Sequence, residues 1–86
     1  MATRRLASVP PVDPALAPVL RRLRAERGLS QEYVAHRANV PYTTLAKIGL
    51  GQSAPTWATS RAVANAFDVS MSDLAAAVEA QASAAP

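Results

Sequence analysis

The sequence predicts an all-α domain of five helices, and three observations carry that prediction. Apolar residues recur at helical spacing in five successive segments. The segments are separated by residues that start or stop helices, among them Gly28, Ser30, Asn39, Pro41, Gly51 and Pro55. No strand signal of any length and no internal repeat is present, while the many alanines suit helices throughout.

The first twelve residues carry Pro10 and Pro11 and show no periodicity, so residues 1–12 are expected to form a flexible arm. Arg4 and Arg5 lie on it. They suit a basic arm that reaches along a polyanion, or equally a tail without a role. They do not announce a signal peptide, because prolines break the apolar stretch that follows. The folded domain is expected over residues 13–80.

The first helix should run from Pro14 or Pro18 to Arg27, with Asp13 as a candidate cap. Leu16, Leu20 and Leu23 form its apolar stripe, flanked by Val19, and Gly28 ends it. The second helix spans roughly Gln31 to Arg37 behind the N-cap Ser30, with Val34, Ala35 and Ala38 on one side. Asn39 follows, where the backbone needs positive φ. Pro41 cannot continue that helix but can open the third, roughly Tyr42 to Ile48. Leu45 and Ile48 give the third helix an apolar face. Tyr42, Thr43, Ala46 and Lys47 point away from it.

The fourth helix should start after Pro55-Thr56 and reach about Phe67, with Trp57, Val63, Ala64 and Phe67 as core candidates. Ser70 or Ser72 caps the fifth, which carries Met71, Leu74 and Val78. Residues 81–86 should fray as a disordered tail.

Composition narrows the function. The 86 residues make one domain with a small core. Cysteine is absent, which removes disulfides and thiolate metal sites. His36 is the single histidine and lacks the set of spaced acid partners that catalysis or a metal site would require, so neither an enzyme nor a metal or cofactor site is expected. Gly49 and Gly51 do not make a phosphate-cradling loop. No apolar run can cross a membrane, and a cytoplasmic protein is expected. The net charge of +3 leans towards nucleic acid, and five of the nine basic residues fall between Arg21 and Arg37. A solvated helix face would account for that cluster as well.

The stretch LSQEYVAHRANVPYTTLAKIGLG, residues Leu29 to Gly51, resembles the helix-turn-helix of the lambda-repressor-like and Cro-like family of the XRE type. Upstream, LRRLRAERGLSQ is similar to the family's junction of helices 1 and 2. Downstream, APTWATSRAVANAFDVSMSDL is similar to its fourth helix and the start of its fifth. The resemblance covers roughly Leu16 to Val78. It implies a five-helix lambda-repressor-like domain that binds double-stranded DNA as a repressor-like transcription regulator. A domain this small covers one half-site, so either a homodimer on a pseudo-palindrome or a partner that supplies the second grip is expected.

The resemblance also assigns residues. Gln31, at the start of helix 2, is expected on a phosphate, unless it is merely a solvated first-turn residue. Tyr42, Thr43, Thr44 and Lys47 are expected to meet bases or backbone from the recognition helix. Tyr42 alternatively packs on helix 2. Gln52 and Ser53 are expected on the phosphates of the other strand, with Arg22 and Arg37 as further backbone contacts.

Pro41, Tyr33, Gly49, Ser60 and Arg61 depart from the family pattern, and the recognition helix carries neither Arg nor Asn. These features leave room for a competing reading. In it the same fold is a protein-binding module, such as the antitoxin of a toxin–antitoxin pair or an adaptor.

Overall fold

The computed structural model describes residues 11–84. The expected arm, including Arg4 and Arg5, therefore lies outside the described residues apart from Pro11 and Val12. Five helices follow in order: α1 (Leu16–Arg27), α2 (Gln31–Ala38), α3 (Tyr42–Gly49), α4 (Trp57–Ala66) and α5 (Met71–Ala84). No strand occurs among the described residues.

One backbone device closes every connection. Gly28, Asn39, Gly51 and Asp68 all take positive φ, between 56° and 74°. After each, the next amide donates back to a carbonyl five residues earlier: Leu29 to Arg24, Val40 to Ala35, Gln52 to Lys47, Val69 to Ala64. This is the hydrogen-bond pattern of the Schellman motif, which satisfies carbonyls that the ending helix leaves unpaired. It also turns the chain sharply. Leu29, Val40 and Val69 thereby pack against the core directly behind their turns.

The helix starts are equally local. Ser30 Oγ accepts from the Tyr33 amide at 3.0 Å, and Thr56 Oγ1 accepts from the Thr59 amide at 3.1 Å. Ser70, not Ser72, caps α5, accepting from the Asp73 amide at 3.0 Å. The first helix begins at Leu16, between the two expected positions. Asp13 Oδ1 accepts from Ala15 in the turn before it. Pro18 falls in the first turn of α1, where its missing N–H would have had no intrahelical partner.

The core is built from Val19 and Leu20 of α1, Val34, Ala35 and Ala38 of α2, Leu45 and Ile48 of α3, Val63, Ala64 and Ala66 of α4, Phe67 beyond it, and Leu74 of α5. Val19 is wholly buried and sits at the centre of the α1 stripe, whereas Leu16 and Leu23 lie at its edges. α2 packs on α3 and α4, and α1 packs on α3 and α5.

Two expectations for the later helices need correction. Trp57 is not a core residue: 68% of it is exposed, because it is the first residue of α4 and faces outward there. The segment expected to fray is helical as far as Ala84. Alanine carries no penalty in a helix, and Gln81 accepts from Arg22 Nη1 at 3.3 Å, holding the segment against α1.

Candidate nucleic-acid interface

The turn between α2 and α3 aims the third helix. Asn39 at φ 56° and Val40 reverse the chain within two residues, and Pro41, at φ −59°, precedes the first turn of α3. No side chain caps that end. Leu45 and Ile48 are buried, and they fix which side of α3 faces in. Tyr42, Thr43 and Lys47 are consequently exposed on the other side, with Thr44 and Ala46 half-buried at its margins. Tyr42 is 50% exposed.

The exposed face offers a hydroxyl from Thr43, a phenol from Tyr42 and an ammonium from Lys47. Thr43 and Lys47 are four residues apart and lie one above the other along the helix. The Lys47 ammonium makes no hydrogen bond or ion pair among the described residues. Such a face can donate to base acceptors and phosphates and can pack a methyl against thymine.

Gln31 opens α2 beside the far end of α3. Its Oε1 lies 3.8 Å from where a Cβ on Gly49 would stand. It is half-buried, not free in solvent. Beyond α3, Gln52 is exposed and Ser53 half-buried. The Gln52 amide is engaged with the Lys47 carbonyl at 2.9 Å. Its side chain is left to meet a partner.

Arg22 and Arg37 are not brought to this face. Arg22 turns to α5, bonding Gln81 and standing 3.9 Å from Glu26. Arg37 turns to the α4–α5 connection. Its Nη1 donates to the Tyr33 hydroxyl at 2.9 Å, and its Nη2 stands 3.9 Å from Asp68. The hydrogen bond to Tyr33, and secondarily its electrostatic attraction, raise the Arg37 pKa above its ordinary value.

The clustered arginines thus hold helix ends together. Arg24 donates to the Leu29 carbonyl at 3.2 Å, and Arg27 donates to the Phe67 carbonyl at 3.1 Å. Arg21, which the sequence did not single out, donates to the Gly49 carbonyl at 2.6 Å and so lies on the α3 side of α1. Helical phase carries the only signal for this. Arg21 and Arg22 are one residue apart, so they leave α1 about 100° from each other.

A short helix with a buried apolar side and a free polar side, packed on α1 and α2 behind a tight turn, defines a helix-turn-helix domain of the DNA-binding class. The helix-turn-helix family HTH_3 matches residues 20–74. The chain belongs to this XRE-type family of DNA-binding transcription regulators.

Among solved structures, the chain is similar to the wild-type restriction-modification controller protein C.Esp1396I. There the TM-score is 0.78 at 18% identity, covering 84% of this chain and 92% of that one. It is also similar to the clp gene regulator ClgR of Corynebacterium glutamicum, with TM-score 0.75, 23% identity, and coverage of 85% and 79%. An HTH_3 family transcriptional regulator of Vibrio cholerae shares 34% identity at TM-score 0.70 over 76% of this chain, which is 36% of that longer one. No curated protein matches the chain in sequence.

Proposed function

We propose that this protein is a non-catalytic, repressor-like regulator that binds double-stranded DNA in a sequence-specific manner. In this reading α3 enters the major groove and the start of α2 braces the phosphate backbone. The observation that carries it is the division of α3. Leu45 and Ile48 are locked in the core while Tyr42, Thr43 and Lys47 are presented to solvent. Gln31, Thr44, Gln52 and Ser53 border that face. The reading puts the protein in the cytoplasm, where its DNA is, and asks for no cofactor. Among the described residues, no helix is long and apolar enough to cross a membrane.

The experiment is selection from random duplex DNA at low and moderate salt, with sequencing of the retained fraction. An enriched motif, above all a palindromic one, supports the reading and gives the half-site spacing. Retention at low salt alone, with no motif, overturns sequence-specific binding.

A domain of this size covers one half-site, so the reading includes a homodimer. Trp57 favours an apolar contact of some kind. It stands exposed beside a cleft of about 280 Å³ that Leu16, Met71 and Val78 also line. Leu74 also lines that cleft but is buried, so it belongs to the core more than to any interface. A monomer in sedimentation at high concentration, with and without DNA, argues against the dimer. Such a result would move a different protein partner, as in an antitoxin or adaptor, to first place.

A further inference from the structure

Arg21 reaches across from α1 to the last residue of the third helix, where its Nη1 donates to the Gly49 carbonyl at 2.6 Å. Gln31 occupies the same spot, with its Oε1 3.8 Å from a Cβ position on Gly49. Arg21, Arg24, Gln31 and Gly49 rim one crevice with an apolar floor, and no acidic side chain lines it. A guanidinium has five N–H donors in a planar fork. The Gly49 carbonyl takes one, and no other hydrogen bond or ion pair engages Arg21 among the described residues.

The geometry points to Arg21 as a phosphate-gripping residue of the DNA interface, held beside Gln31 by the carbonyl of Gly49. This rests on the DNA-binding reading above and adds to it a residue the helix-turn-helix itself does not contain. The fork's remaining donors suit two oxygens of one phosphate, and the Gln31 amide can donate to the same group or its neighbour. The Gly49 bond orders the long side chain before DNA arrives, so less freedom is lost on binding. It also lays a positive charge against the C-terminal carbonyls of α3, a favourable placement in the field of that helix. The grip on the backbone is thereby tied to the end of the helix that reads bases, and a fixed phosphate fixes how α3 sits.

The test uses the full chain on a random duplex and on any enriched duplex, with affinity followed through a salt series. Arg21→Ala is expected to make the slope of log affinity against log salt shallower by about 0.9, the change for one lost phosphate contact. The loss is expected to be equal on both duplexes. Arg21→Lys keeps the charge and is expected to retain the slope. An unchanged slope in folded Arg21→Ala overturns the assignment. A loss confined to the enriched duplex also overturns it, because Arg21 would then be only a prop for α3. Where Arg21→Ala fails to fold, Arg21→Gln against Arg21→Lys decides. Gln keeps a donor for the Gly49 carbonyl without the charge, so the slope must fall with Gln and hold with Lys. A parent chain that binds no duplex at low salt overturns the DNA-binding reading itself, which is distinct from a binding parent with a silent Arg21.

Discussion

Arg27 Nε donates to the carbonyl of Phe67 at 3.1 Å, fastening the last residue of α1 to the residue that closes α4. The two are forty residues apart in sequence. Phe67 is buried in the core while the carbonyl on its backbone sits at a helix end, where a cation is favourable. Arg27→Ala removes this bond and is expected to cost about 1 kcal/mol of stability. Thermal unfolding checks it, and an unchanged midpoint would show the bond to be idle.

The left-handed turns separate residues that accept positive φ from one that accepts it at some cost. Asp68 holds φ 59°, and its contact with Arg37 is a solvent-exposed 3.9 Å pair of small worth. Asp68→Gly relieves the strain and is expected to stabilise the domain by roughly 0.5–1 kcal/mol. At Asn39, φ 56°, a β-branched residue is disfavoured, and Asn39→Val is expected to lower the unfolding midpoint. Denaturant titrations of the two variants should therefore move in opposite directions.

Gly49 is helical with negative φ, and an added Cβ would meet only Gln31 Oε1 at 3.8 Å, an ordinary contact. Gly49→Ala is expected to raise stability by about 1 kcal/mol, the difference in helix propensity between the two residues. A drop in midpoint would mean that the crevice beside Arg21 does not tolerate even a methyl group.

Lys47→Ala and Thr43→Ala probe the exposed side of α3 in different ways. Loss of Lys47 is expected to weaken binding to all duplexes and to flatten the salt dependence. Loss of Thr43 is expected to alter the preferred sequence more than the affinity for random duplex. Two variants that retain the parent's motif and affinities would show that α3 is not the reading head.

Trp57 is the single tryptophan and is largely exposed, which makes it a reporter of the cleft it borders. Its emission is expected to be that of a hydrated indole in dilute protein. If copies pair over that cleft, the emission moves to shorter wavelength as concentration rises. Trp57→Ser is expected to leave thermal unfolding of the dilute domain nearly unchanged and to abolish the concentration effect.

The elements whose determinants are local were legible in the sequence. Ser30, Thr56 and Ser70 cap by side chains a few residues from the amides they serve, and Gly28, Asn39 and Gly51 turn the chain where their residue types allow it. Asp68 performs the same turn but was hidden, since aspartate seldom takes positive φ outside such a motif. The direction each arginine takes was hidden for a different reason. Clustered charge in sequence suggests a phosphate patch, yet which way each guanidinium turns depends on helical phase and on carbonyls contributed by distant residues. Arg24 and Arg27 thus bind chain carbonyls, Arg22 meets α5, and only Arg21 reaches α3. Trp57 misled because its apolar character says nothing of its place at the edge of α4. The outward placement of Tyr42, Thr43 and Lys47 was readable because helix spacing alone divides α3, and the place of Gln31 was readable because the Ser30 cap fixes the start of α2.

The split between the two sides of α3 has an evolutionary side. Leu45 and Ile48 hold the helix in place, while Tyr42, Thr43 and Lys47 bear little of the packing. A lineage can rewrite those outward positions one at a time without passing through an unfolded ancestor. If those positions read DNA as proposed, copies of the gene can then drift to new targets on an unchanged scaffold, which outlasts any one sequence it recognised.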